Sequence, residues 1–232
     1  MIFFVRWLLV LLFIVLSFPF LCLFMLVNPS KNKNLHVACR SYTVINKIFS
    51  VRVAVSGFDT ISTAQPYIYV ANHQCNYDVL IVAEALKPGT VIVGKKSLKW
   101  LPLVGQLYWL TGSLFIDRNS PRASIQSLRK ISKSVVADNT SLWIFPEGTR
   151  NKGGDMLPFK SGAFRVAKDM GVGIVPVTIS PAVGDVAYNS LRSTEVSIVA
   201  HQPIEADVVA SMTTKELASY TREIINKGLP II

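Results

Sequence analysis

Residues 7–27 carry no charged side chain, and large apolar residues fill every face that a helix through them would present. At about 1.5 Å of rise per residue, a helix of that length covers roughly 30 Å, the thickness of a hydrocarbon core. The pattern predicts a membrane-embedded helical segment over residues 1–30. Pro19 interrupts it by removing a backbone donor, so the segment reads either as one span or as two short helices that enter and leave one leaflet. Leu26-Val27-Asn28-Pro29-Ser30 offers no small-x-small cleavage site, which disfavours a cleaved signal peptide.

Beyond residue 50 the period changes. Short β-branched and aromatic runs predict strands at 51–56, 67–71, 90–94, 113–117, 141–145, 173–179 and 196–200. Mixed stretches around and between them predict helices at 35–49, 77–86, 97–110, 121–137, 160–170 and 213–227. Gly171 closes one of these helices, and Ser211-Met212-Thr213-Thr214 followed by Glu216 opens another. Such alternation predicts an α/β sandwich with a largely parallel central sheet, formed by one domain over residues 31–232 behind the anchor. Pro176, inside the apolar run Ile174-Val175-Pro176-Val177, predicts an edge, bulge or strand-end position.

Composition agrees with a membrane protein: 50% of residues are hydrophobic, 16% are charged, and the mean hydropathy is +0.40. The net charge of +10 is unevenly placed. Residues 31–130 hold thirteen basic and four acidic side chains, whereas residues 131–232 hold ten of each. A surplus just after the apolar segment suits an anionic membrane surface or a phosphate-bearing substrate, and speaks against a nucleic-acid partner. Lys31, Lys33, Arg40, Lys47 and Arg52 follow the segment while only Arg6 precedes it, so the positive-inside rule places the body on the cytoplasmic face. Cys22, Cys39 and Cys75 form no CxxC pair, which predicts reduced thiols and no structural zinc.

Candidate chemistry lies where predicted strands give way to helices, the place where open α/β sheets collect ligands. In Asn72-His73-Gln74-Cys75-Asn76-Tyr77-Asp78, a loop lets the Asp78 carboxylate fold back onto one imidazole nitrogen of His73 and leave the other for a substrate. The plainer reading makes Asp78 a first-turn helix acid and His73 a loop histidine. In Phe145-Pro146-Glu147-Gly148-Thr149-Arg150, glycine permits close backbone approach, and Arg150 with Lys152 and Lys160 supplies donors for a phosphate. Glu147 there either pairs with Arg150 or accepts a substrate hydroxyl. Arg118, ending Gly112-Ser113-Leu114-Phe115-Ile116-Asp117-Arg118, could complete the cationic pocket. His36 and His201 have no acid at a useful spacing and read as structural. The stretch Lys95 to Leu110, basic and then rich in Trp, Leu and Tyr, reads either as a buried helix with a basic flank or as an interfacial helix.

Taken together and in order, NHQCNYD, GSLFIDR, FPEGTR and IVPV resemble the motif blocks of the glycerolipid acyltransferases, and within these most of all the 1-acyl-glycerol-3-phosphate (lysophosphatidate) acyltransferases. The resemblance implies a membrane enzyme that moves a fatty acyl group from a thioester, acyl-CoA or acyl carrier protein, to the sn-2 hydroxyl of lysophosphatidate, giving phosphatidic acid without a cofactor or metal. It implies His73 as base and Asp78 as its partner. Arg118, Glu147, Gly148, Thr149, Arg150 and, beside them, Lys160 are expected at the glycerophosphate, with Pro176 supporting the fold. Two rival readings stand beside this one: a covalent route in which Cys75 first accepts the acyl group, and a membrane-anchored lipid-binding protein without catalysis. Another lysophospholipid as acceptor is also compatible with the motifs.

Overall fold

The computed structural model describes residues 1–28, 31–117, 126–127, 139–181, 186, 188–189 and 191–230. The segment expected as an anchor is a single helix, α1 (Ile2–Val27), and Pro19 lies inside it. One missing ladder donor does not interrupt twenty-six residues of helix, so the alternative of two short helices is not what forms. Helix α1 is long and apolar enough to cross a membrane. It also lies along the body: Arg6 is buried and donates to Ser50 Oγ at 2.8 Å, and Val10, Leu21 and Met25 are buried beyond it.

Two helices follow, α2 (Lys31–Tyr42) and α3 (Val44–Ile48), where one was expected over 35–49. Thr43 separates them, its hydroxyl donating to the Arg40 carbonyl at 2.8 Å and competing with the helical ladder. The strands and helices of the body are then β1 (Val51–Ser56), β2 (Tyr67–Ala71), α4 (Asp78–Ala85), β3 (Thr90–Lys95), α5 (Val104–Leu110), β4 (Leu114–Ile116), β5 (Ser141–Ile144), α6 (Gly162–Met170), β6 (Gly173–Ile179), β7 (Thr194–Ala200), α7 (Ala206–Ser211) and α8 (Thr214–Lys227). The expected helix over 97–110 begins as a 3-10 turn, Lys96–Trp100, and resumes as α5 beyond Pro102 and Leu103, the latter at φ 65°. Helix α7 was not expected. The helix expected over 121–137 falls almost wholly outside the described residues. Helix α8 opens with the expected capping box, Thr213 and Glu216 exchanging side-chain and backbone bonds.

Among the described residues the sheet has the order β1-β7-β6-β2-β5-β3-β4. Every pairing is parallel except that of β6 with β7. The fold is thus an α/β sandwich on a largely parallel sheet. Strands β2 and β6, central in it, are buried at every residue, as strands covered on both faces must be, and they read as unbroken apolar runs. Helices α2 to α4 pack on β1, β3 and β7, and α6 to α8 on β2 and β6.

Pro176 sits in the middle of β6, where a missing donor normally breaks a ladder. The pairing of Ile174 with Ile204 is offset by one residue from that of Val177 with Ala200, which puts a bulge opposite Pro176. Its carbonyl still accepts from His201 N at 2.9 Å on that side, and the β2 side keeps its parallel register. The bulge is one of the three positions the sequence predicted.

Candidate active site

Strands β2 and β5 run parallel and adjacent, so the loops leaving their carboxyl ends emerge side by side. These loops are the two motif-bearing ones. His73, just past β2, places Nδ1 2.7 Å from Oδ2 of Asp78, the first residue of α4. Asp78 is fully buried, and the same oxygen accepts from Gln74 N at 2.6 Å and Cys75 N at 3.0 Å. An oxygen that already takes two N–H groups leaves Nδ1 to present its proton, which turns the basic lone pair of His73 to Nε2. Phe145 stacks on the imidazole at 4.3 Å between ring centroids and fixes its plane. The expected contact of Asp78 with one imidazole nitrogen is therefore present, with the other nitrogen left free of it.

The second loop is sewn to the first. Asn151 N donates to His73 O and Lys152 N to Gln74 O, each at 3.0 Å. Glu147 is buried, with Oε1 accepting from His73 N at 2.6 Å and Oε2 from Leu157 N at 2.9 Å. Neither sequence expectation for Glu147, a pair with Arg150 or a substrate hydroxyl, describes these bonds; the carboxylate is turned into the protein. Burial raises its pKa above the ordinary glutamate range, and the two backbone donors act against that rise. Arg150 instead donates to Oδ1 of Asn76 in the first loop, and is exposed beside it. Gly148 has φ 71°, a backbone conformation that favours glycine, and a Cβ there would stand 2.6 Å from Nζ of Lys160, so the lysine amine lies close against this turn. Thr149 is exposed at the same turn. Arg118 lies outside the described residues.

Residues 52–180, over half of the chain, match the Acyltransferase family. The chain belongs to the acyltransferase family. It is 34% identical to the 1-acyl-sn-glycerol-3-phosphate acyltransferase of Haemophilus influenzae over 87% of this chain and 83% of that protein. With the enzyme of the same name from Escherichia coli it shares 41% identity over 70% of this chain and 66% of that one. In fold it is similar to the crystal structure of the 1-acyl-sn-glycerophosphate acyltransferase of Thermotoga maritima, with a TM-score of 0.79 at 21% identity, covering 98% of this chain and 92% of that one.

Several residues that hold the two loops in place were given no role by the sequence, some of them inside the first motif itself. Asn72 clamps the base of the first loop by exchanging two bonds with Ile179 of β6, at 2.9 and 2.8 Å, and Gln74 Nε2 donates to the same Ile179 carbonyl at 2.7 Å. Asn46 of α3 accepts from the Tyr77 hydroxyl at 2.9 Å and donates to Glu84 at 3.0 Å, tying α4 to the helices behind it. Trp7, Phe49, Tyr77 and Tyr188 form a ring cluster that joins the start of α1 to the first loop. Asn72, Gln74 and Tyr77 lie in the first motif, whereas Asn46 had only its polarity between Ile45 and the Ile48-Phe49 pair to mark it. His36 and His201 are structural: one ring nitrogen bonds Leu86 O at 2.8 Å, the other Thr178 Oγ1 at 2.7 Å. Among the described residues no group of three His, Cys, Asp or Glu side chains could hold a metal ion.

Beside α4 lies an apolar cavity of about 230 Å³, lined in part by Cys39, Tyr42, Val79, Leu80, Leu107 and Tyr108. It starts one residue from Asp78. Cys75 points its thiol at the other oxygen of Asp78, Sγ to Oδ1 3.4 Å, and burial together with that carboxylate pushes its pKa up to about 11. A thiol held protonated is a poor nucleophile. We expect Cys75→Ser to keep turnover within about twofold, and no acyl adduct to be trapped on the wild-type protein by mass spectrometry; a mass increase on Cys75 during turnover would restore the covalent route.

Proposed function

We propose that the chain transfers a fatty acyl group from a thioester, acyl-CoA or acyl carrier protein, to the sn-2 hydroxyl of 1-acyl-glycerol-3-phosphate, yielding phosphatidic acid. The observation that carries this reading is the contact of His73 Nδ1 with the buried Asp78 carboxylate at 2.7 Å, at the mouth of a loop pair that also bears Arg150 and Lys160. The names of the relatives support the acceptor. In this scheme Nε2 of His73 takes the proton of the acceptor hydroxyl as its oxygen attacks the thioester carbonyl. A C–O bond forms, the C–S bond breaks, and the imidazolium returns its proton to the departing thiolate. Asp78 holds the ring in the required tautomer and stabilises its positive charge. No acyl-enzyme, metal or further cofactor enters the scheme.

Cationic side chains take the glycerophosphate: Arg150 and Lys160 around the Gly148-Thr149 turn, with Arg118 added from the segment after β4. The apolar cavity beside α4 suits an acyl chain, because its lining presents almost no polar surface. Residues 1–30 anchor the enzyme, and the basic residues that follow α1 keep residues 31–232 on the cytoplasmic face. The test is an acyl-transfer panel with the purified full-length chain, crossing acyl-CoA and acyl carrier protein donors with lysophosphatidate and other lysophospholipids. Phosphatidic acid formed only from lysophosphatidate is the expected result. A headgroup-bearing lysophospholipid used equally well would overturn the choice of acceptor, and no product with any pair would overturn the activity.

A further inference from the structure

The stretch that the sequence left between a buried helix and an interfacial one proves to be exposed. Along the 3-10 turn and α5 only Gly105 and Leu107 are buried, while Trp100 is 80% exposed, Trp109 67% and Leu101 48%. These side chains do not hang from a loose loop. A Cβ on Gly105 would stand 2.1 Å from the carbonyl oxygen of Lys99, so helix and turn are in direct backbone contact. Two tryptophans held rigidly in water are a costly arrangement unless something covers them.

Two observations identify the cover. Leu21 and Met25 of α1 bury against Ala38 and Leu107, with Leu110 packed beside them. The same stretch of α1 that packs on α5 also carries exposed apolar side chains, Phe20 and Leu23 among them. Three exposed lysines, Lys95, Lys96 and Lys99, lead up to Trp100; Lys96 bonds Asp117 at 2.9 Å, and Lys99 lies 5.7 Å from the Trp100 ring centroid. Aromatic rings with an apolar neighbour and a cationic rim match the boundary of an anionic leaflet, where indole sits at the headgroup level and lysine reaches phosphate. We propose that residues 95–109 form a second membrane contact beside α1, with Trp100, Leu101 and Trp109 at the acyl–headgroup boundary and Lys95 and Lys99 on anionic headgroups. This contact adds a specific orientation to an anchor that by itself leaves the body free to roll about the axis of α1, and it stands whichever acceptor the site uses.

The experiment uses the full chain reconstituted in vesicles whose phosphatidylcholine carries bromine near the carbonyl end of the acyl chain, with or without phosphatidylglycerol. In W7F/W109F the remaining tryptophans are Trp100 and Trp143, and Trp143 is only 1% exposed, stacked on Tyr69 in the core. Brominated lipid should quench the emission of that variant by at least about a third, and W7F/W100F likewise through Trp109, whereas W7F/W100F/W109F should show almost none. Adding K95E and K99E to W7F/W109F should reduce the quenching in vesicles containing phosphatidylglycerol. Unquenched Trp100 and Trp109, alongside a quenched Trp7 in W100F/W109F, would overturn the proposal. So would a cross-link between cysteines placed at position 109 of two copies, which would make the patch a contact between chains. Far-UV circular dichroism checks that each variant is folded, and the buried environment of Trp143 supplies a second check in the same spectra.

Discussion

Replacing His73 with alanine should lower acyl transfer at least about a hundredfold while leaving the protein folded, since a positioned general base typically supplies about 10² to 10⁴ in rate. The fold does not depend on this imidazole: its side chain retains 17% exposure, it ends in a loop, and its backbone keeps the bonds to Glu147 and Asn151 whatever the side chain. Asp78→Asn is the harder test. An amide at position 78 has the shape of the carboxylate, but an oxygen kept toward the N–H groups of Gln74 and Cys75 is neutral, and an NH₂ turned there opposes them. In either case the imidazolium that forms during attack loses its counter-charge, and the expected loss is again about a hundredfold or more. The readout is kcat on lysophosphatidate with purified variants, beside binding of labelled lysophosphatidate to the same preparations. Retained binding with lost turnover supports the base. Full turnover in His73→Ala removes it.

How much of this was legible beforehand varies with the element, for physical reasons. The limits of β1, β2 and β6 could be read to the residue because turn-forming or polar residues bound their apolar runs, and the runs are β-branched or aromatic. Helices over 35–49 and 97–110 were each drawn unbroken, since Thr43 and Pro102 break a ladder without breaking the apolar pattern around them. The pairing of His73 with Asp78 was legible because both lie in one short loop. The seam between the two loops was not: Asn151 to His73 and Lys152 to Gln74 join residues far apart in sequence, and adjacency of β2 and β5 is what brings them together. The bonds of Glu147 were hidden for a related reason. Three residues from Arg150, it read as that residue's partner or as the acceptor of a substrate hydroxyl, yet the turn at Gly148 directs the two side chains to different neighbours of the first loop.

Glu147→Gln should therefore reduce kcat by at least about tenfold, roughly 1.4 kcal/mol in the barrier, with little change in KM for lysophosphatidate. The carboxylate receives two N–H groups, from His73 and from Leu157, and an amide can accept only one of them while its NH₂ opposes the other. One buried donor is left without a partner, at a cost of about 1 to 3 kcal/mol, and the strand end that carries His73 is free to shift. Stability distinguishes this from a simple loss of packing. Because burial raises the pKa of Glu147, the folded protein holds that proton more tightly than the unfolded chain. Its contribution to stability is fully present below the unfolded pKa and is lost as pH rises through the folded value, so the side chain, once ionised, costs the fold free energy. The glutamine variant lacks that dependence, so the unfolding free energy of the wild type relative to that of the variant should decline as pH rises above the ordinary glutamate range. A carboxylate kept in place at the expense of stability is what a positioning residue looks like: it orients the backbone that bears His73. Denaturant unfolding across that pH range, paired with kcat and KM for both proteins, separates the alternatives. An unchanged kcat with a strongly raised KM would return Glu147 to the acceptor site, where the resemblance first put it.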